Sequence, residues 1–179
     1  MNPGSSWFAV QTRPKCEKSV AAALEMKGYE SFYPIYKERR QWSDRRVELE
    51  RPLFPGYVFC RLTSTAFGKA LLTSGVTRMV GFGLTPSEIP DDQIDALRRV
   101  NTSDAKRAPW TYIPTGTRIR VESGPLQGLE GIYLPQSDDR RLILSVDLLQ
   151  GSVAVILAPE VAYQVIAPTQ IAAHSADLH

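Results

Sequence analysis

Hydrophobic and polar positions repeat with different periods along the chain, and the changes of period mark the elements. Trp7-Phe8-Ala9-Val10-Gln11 is a short apolar run that reads as a strand. Arg13-Pro14 follows, and a proline suits the first turn of a helix. Cys16, Val20 and Leu24 then recur every four residues, Ala21 and Ala23 favour a helix, and Gly28 closes it. Residues 29–35 are aromatic-rich and predict a strand; the charged residues 37–46 predict a hairpin or a loop. Over residues 57–62 the period is two. Tyr57, Phe59 and Arg61 share one face; Val58, Cys60 and Leu62 share the other. A helix capped at Ser64 or Thr65 runs through Leu72 and ends at Gly75. Residues 77–82 read as a strand. Asp91 and Asp92 open a helix that buries Ile94, Leu97 and Val100, with Arg98 and Arg99 near its C-terminal end, where cations suit the macrodipole.

Residues 101–113 are polar and aperiodic and read as a tether. Beyond them only short strand patterns occur, at residues 117–122, 130–134, 142–148, 153–157 and 161–166. Turn signals such as Gly124-Pro125 and Gln150-Gly151 separate them, the pattern of a small barrel. Residues 142–149 also fit a buried helical segment by periodicity; the flanking turn residues favour strand. The tail after Pro168 is polar. The predicted organisation is a first module at 1–105, a linker at 106–113, a barrel at 114–167 and a tail at 168–179.

Composition is that of a globular protein: 43% hydrophobic and 22% charged over 179 residues. No apolar run is long enough for a membrane span and the N-terminus lacks a signal-peptide pattern, so a cytoplasmic protein without a membrane partner is expected. Net charge is +2, but the halves differ. Residues 1–105 hold 15 Lys/Arg, 12 Asp/Glu and 12 of the 16 aromatics; the remainder holds 6 basic and 7 acidic residues. Two modules with different tasks follow from that asymmetry. Enzyme chemistry finds little support. His174 and His179 both lie in the tail, Cys16 and Cys60 are too few for a zinc site and read as ordinary buried thiols, and no phosphate-binding glycine loop occurs. No cofactor, metal or catalytic residue is expected.

Three segments in order, residues 7–12, Pro52-Leu53-Phe54-Pro55-Gly56-Tyr57-Val58-Phe59, and Gly124-Pro125-Leu126-Gln127-Gly128-Leu129-Glu130-Gly131, resemble the NusG family of transcription elongation factors. The first two resemble its N-terminal (NGN) domain and the third its KOW motif. The resemblance implies an α+β fold: an NGN α/β sandwich with an antiparallel sheet, linked to a C-terminal SH3-like β-barrel. Pro52-Leu53-Phe54-Pro55, Phe82-Gly83-Leu84-Thr85-Pro86 and Asp147-Leu148-Leu149 are similar to specialised paralogues of the RfaH, UpxY and LoaP type. Leu148-Leu149-Gln150-Gly151 stands where the general factors carry an Ile-Phe-Gly-Arg-like loop, and the polar patch of RfaH is not evident in residues 62–67.

The resemblance implies an elongation or antitermination factor that binds RNA polymerase and suppresses pausing or termination at particular operons. Phe8, Phe54, Pro55, Tyr57 and Phe59 would then form an exposed groove for the clamp helices of the polymerase largest subunit; read from residues alone, such rings pack in a core. Lys37, Arg39, Arg40, Arg45 and Arg46 around Trp42 combine phosphate contacts with a stacking ring and, with Arg13 and Lys15, would meet non-template or upstream DNA; residue types alone equally describe a solvated hairpin. Leu148 and Leu149 are either core leucines or contacts for a barrel partner, a ribosomal protein or Rho. A monomer is expected. The alternative is a KOW-type RNA-binding protein acting in ribosome assembly or translation, against which the barrel's charge speaks.

Overall fold

In the computed structural model, residues 4–41, 46–113, 116–135 and 140–167 are described. The first half contains β1 (Ser6–Thr12), α1 (Glu17–Met26), β2 (Glu30–Phe32), β3 (Ile35–Gln41), β4 (Arg46–Pro52), β5 (Tyr57–Leu62), a short 3-10 turn at Ser64–Ala66, α2 (Phe67–Leu71), β6 (Val76–Met79), β7 (Gly81–Phe82), β8 (Thr85–Pro86) and α3 (Asp91–Thr102). Four strands make an antiparallel sheet in the order β2-β5-β1-β6. Registers Phe8↔Cys60 and Ala9↔Phe59 fix which side chains share a face. Phe8, Val10, Val58, Cys60 and Leu62 bury against Val20 and Leu24 of α1 and Ala70 of α2. Trp7, Ala9 and Phe59 turn the other way, towards Ile94, Leu97 and Val100 of α3. The period-two reading of residues 57–62 therefore holds, and both faces are covered.

One predicted element breaks where the backbone demands it. Residues 29–35 divide at Tyr33-Pro34, giving β2 and then β3, because a proline has no N–H for the ladder. The charged stretch is a hairpin: β3 pairs with β4 from Ile35↔Pro52 to Gln41↔Arg46.

The second half contains β9 (Arg107–Thr111), β10 (Arg118–Val121), β11 (Glu130–Pro135), β12 (Arg140–Val146), a 3-10 turn at Asp147–Leu149, β13 (Gly151–Leu157) and β14 (Tyr163–Ala167). They form one antiparallel sheet in the order β14-β10-β11-β12-β13-β9. Gly124 and Gly128, at φ +83° and +82°, turn the chain from β10 towards β11, and Gly128 N–H donates to Val121 O at 2.7 Å. The double reading of residues 142–149 resolves into strand through Val146 and one 3-10 turn after it.

The predicted tether is corrected. Residues 107–111 are strand β9, with Pro109 opposite Val153. Pro109 and the polar neighbours suppress the strand signal, but β9 is an edge, where a missing N–H is tolerated. The Arg107 guanidinium also gathers four carbonyls. It donates to Asn101 O and Ser103 O, both at 3.0 Å at the end of α3, to Ala105 O at 3.3 Å, and to Ile35 O at the root of β3 at 3.0 Å. The two sheets share one core, which joins Trp7, Phe54 and Leu97 to Leu142, Leu144 and Val153. No helix among the described residues is long and apolar enough to cross a membrane.

Candidate functional site

The turn between β4 and β5 is built around Phe54-Pro55-Gly56. Gly56 adopts φ +83°, which a side chain would resist. Its carbonyl accepts from Thr12 N–H at 2.8 Å, and its N–H donates to Glu17 Oε1 at 2.8 Å. Glu17 is buried in the first turn of α1, so its carboxylate satisfies a backbone donor that lies outside its own helix. Burial raises the Tyr33 hydroxyl above its ordinary pKa, and the carboxylates of Glu17 and Glu50 add to the rise. Nothing in the sequence marks Glu17 beyond an acid suited to a helix start.

The expected open aromatic groove is corrected. Phe59 is fully buried and Phe54 only 4% exposed; their rings meet edge to face at 5.5 Å, with Phe32 stacked at 6.1 Å on Phe59. Phe8 points through the other face of the sheet, packs edge to face on Phe67 and cannot join them. Pro55 is exposed and Tyr57 half-buried. Large rings on a sheet with both faces covered go inside because each contributes about 1.5–3 kcal/mol by leaving water.

A corner of the second sheet covers Phe54. Gly151 opens β13 there, and a Cβ on it would stand 3.1 Å from two Phe54 ring carbons and 3.9 Å from Leu149 Cβ. Leu148 and Leu149 are half-buried against the shared core. Gln150 turns the corner at φ +48°. Alongside, Gln93 Nε2 on α3 donates to Asp147 Oδ2 at 3.2 Å, and Arg99 donates to Gln127 O. Between α3 and β10–β12 lies an open cleft of about 880 Å³, with Asp92, Asp95 and Arg99 on one wall and Arg118, Glu130 and Ile132 on the other.

The predicted nucleic-acid residues separate into two groups. On the hairpin, Lys37 and Arg39 pair with Glu48 at 2.8 and 3.5 Å, and Arg40 and Arg51 pair with Glu38 at 3.0 and 3.1 Å. These carboxylates are held below their ordinary pKa by the cations donating to them. Glu48, across the ladder, thus pairs with two cations that residues 37–46 alone leave without an acid. Trp42, Arg45 and the side chain of Arg46 lie outside the described residues. Arg13 and Lys15, between β1 and α1, are exposed and have no acidic partner among the described residues.

Cys60 is buried between sheet and helices, and burial pushes its thiol up to about 12; Cys16 is half-buried. Among the described residues no group of three His, Cys, Asp or Glu side chains converges to hold a metal ion.

A family model described as transcription termination factor nusG matches residues 5–98. The transcription termination/antitermination protein NusG of Escherichia coli O6:H1 (strain CFT073) is 29% identical over 171 residues, covering 87% of this chain and 93% of that protein. The protein of the same description from Pseudomonas aeruginosa is 30% identical over 140 residues, covering 70% of this chain and 78% of that one. Among solved structures, "Domain interaction in Thermotoga maritima NusG" superposes with a TM-score of 0.50 at 19% identity, over 91% of this chain and 98% of that one, a likeness of fold.

Proposed function

This chain belongs to the NusG family of transcription termination and antitermination factors, and on that premise we propose that it binds RNA polymerase through the Phe54–Tyr57 turn. The partner segment is the pair of clamp helices of the largest subunit, seated as a helix pair against an apolar face. Pro55 and Tyr57 offer the first contact; Phe54 completes the face once its cover leaves. The observation that carries this reading is the turn itself. It is held by Glu17 and Thr12, and it presents an exposed proline and a half-buried tyrosine beside a large ring whose cover includes the glycine corner of the other sheet.

The same corner, Leu148 to Gly151, is the second module's own docking edge for a ribosomal protein or Rho. A corner that covers Phe54 is not free for a partner, so the closed form masks both surfaces and polymerase binding releases both. The interaction between domains named for the Thermotoga maritima protein is in keeping with such a contact. Once bound, a factor with higher affinity for the closed clamp biases the polymerase towards elongation and away from pausing or termination. Arg13 and Lys15 lie against the non-template or upstream DNA, which suits a factor that acts at particular operons, in the cytoplasm, as a monomer. The freed module, joined to α3 through residues 103–106, acts at raised effective concentration on its partner.

Co-purification tests the reading. The full chain retains the polymerase of its own organism, and Pro55→Ser with Tyr57→Ser abolishes retention; retention undiminished in the folded double variant overturns it.

A further inference from the structure

The charged hairpin stands on a root that the preceding sections leave without a task. β3 and β4 form a two-stranded sheet of their own, and among the described residues no third strand pairs with them. An isolated hairpin is marginal in water, so its bearing depends on what holds its base. Ile35 opens β3 opposite Pro52, and Leu53 N–H donates to Pro34 O at 2.9 Å. In an antiparallel ladder that bond leaves Ile35 in a pair without mutual bonds, its own N–H and C=O turned to the outer edge.

Both edge groups are met by side chains from the joint between the modules. Ile35 N–H donates to Asn101 Oδ1 at 3.0 Å, and Arg107 Nε donates to Ile35 O at 3.0 Å. Arg107 also donates to the Asn101 carbonyl at 3.0 Å. One guanidinium therefore fixes the edge carbonyl and the residue that takes the edge N–H. Asn101 and Arg107 stand in for a neighbouring strand, and they belong to different modules. Asn101 lies in the last turn of α3. Arg107 opens β9 opposite Val155 of β13, and the preceding Lys106 O accepts from Ile156 N–H at 2.9 Å. Elsewhere on the hairpin, the ion pair of Glu50 with Lys18 of α1 is exposed and longer, at 3.7 Å.

We infer that Arg107 is a positioning residue that couples the charged hairpin to the second module: the root is held while the modules touch and loosened when they part. The inference rests on the proposal that the modules separate. In separating, β13 carries β9 and Arg107 away from Ile35, and the Asn101 carbonyl loses its donor in the same step. Lys37, Arg39 and Arg40 ride on β3, so their bearing on the first sheet changes with the state of the second module. Linkage makes the effect mutual: what loosens the root favours the parted form.

The test reads amide hydrogen exchange residue by residue in the full chain. Gln93→Cys and Asp147→Cys, in a Cys16→Ser background, are bridged by a short bismaleimide across the module contact. Bridging slows exchange at Ile35 and along residues 36–41 and 46–52 by about 5–10-fold, and Gly151→Leu, which parts the modules, speeds it. Amides paired between β1 and β5 respond to neither. Arg107→Ala removes the hairpin's response to bridging. Asn101→Ala, which spares the guanidinium, removes it at Ile35 and serves if Arg107→Ala fails to fold. A hairpin that exchanges alike in bridged and unbridged chains, while Gly151→Leu lowers the yield of bridging, overturns the coupling and leaves module separation standing. A response that persists in either variant assigns it to other contacts and overturns the coupling equally. A bridging yield that neither Gly151→Leu nor the clamp coiled coil lowers overturns the reading underneath and the inference with it.

Discussion

Phe54 and Gly151 meet across the two sheets so closely that a methyl group on Gly151 would lie 3.1 Å from two carbons of the Phe54 ring. This contact ties the state of the second module to the availability of the first module's aromatic turn. It is tight but yielding, because one ring stands opposite a residue with no side chain. Gly151 is not among the residues at positive φ, so a substitution there is resisted by packing and not by the backbone.

Gly151→Leu follows directly. The added side chain has no room beside Phe54 and Leu149 and shifts the population towards separated modules. Calorimetric titration with the isolated clamp coiled coil reads a several-fold gain in affinity over wild type. An unchanged affinity with an unchanged unfolding midpoint indicates that the corner accommodates the leucine.

Burial separates the turn residues into two classes. Phe59 is sealed on all sides, and Phe59→Ala costs about 3–5 kcal/mol through the cavity it leaves. Its effect on polymerase binding is therefore an effect of unfolding. Pro55→Ser with Tyr57→Ser alters one exposed and one half-buried residue, keeps the circular dichroism near wild type, lowers the unfolding midpoint less than Phe59→Ala, and removes binding.

Arg107 links three elements through their backbone carbonyls. Arg107→Ala leaves the last carbonyls of α3 and the Ile35 carbonyl without it, at a cost of about 2–3 kcal/mol. Thermal unfolding shows this as a fall of about 5–10 °C for a chain of this size. Arg107→Lys recovers little, since one ammonium does not reach four acceptors in a fork.

Cys60 gives the molecule an alkaline slope. Its thiol pKa is pushed up to about 12 in the folded chain by burial, against roughly 8.5–9 in an unfolded one. Between these values the unfolded chain releases a proton that the native chain keeps, so stability falls with rising pH by about 1.4 kcal/mol per unit and levels off above pH 12. Urea unfolding at pH 8.5 and 10.5 shows a loss about 2 kcal/mol larger in wild type than in Cys60→Ala.

Much of this architecture is legible in the sequence because it rests on local periodicity. The alternation from Tyr57 to Leu62, the stripe Ile94, Leu97 and Val100, and the glycine turn at 124–128 each follow from spacing and turn chemistry. What escapes is long-range. Whether Phe54 and Phe59 face water or a core depends on what covers them, and the cover lies nearly a hundred residues away at Gly151. Strand β9 is hidden because an edge strand needs few apolar residues. The hairpin's cations look unbalanced in residues 37–46 because Glu48, which pairs with Lys37 and Arg39, lies on the returning strand. Glu17 and Arg107 act on backbone groups, which leave no pattern in side-chain type.

In the proposed function the clamp coiled coil and the second module compete for the Phe54 turn. Gln93 and Asp147, whose side chains touch at 3.2 Å across the contact, allow it to be locked. Cysteines at both positions, in a Cys16→Ser background, are bridged by a short bismaleimide, and binding of the clamp coiled coil is measured before and after bridging. Competition predicts that the bridged protein loses binding while the unbridged one and a singly modified control keep it. Equal binding by the bridged and unbridged proteins would contradict it.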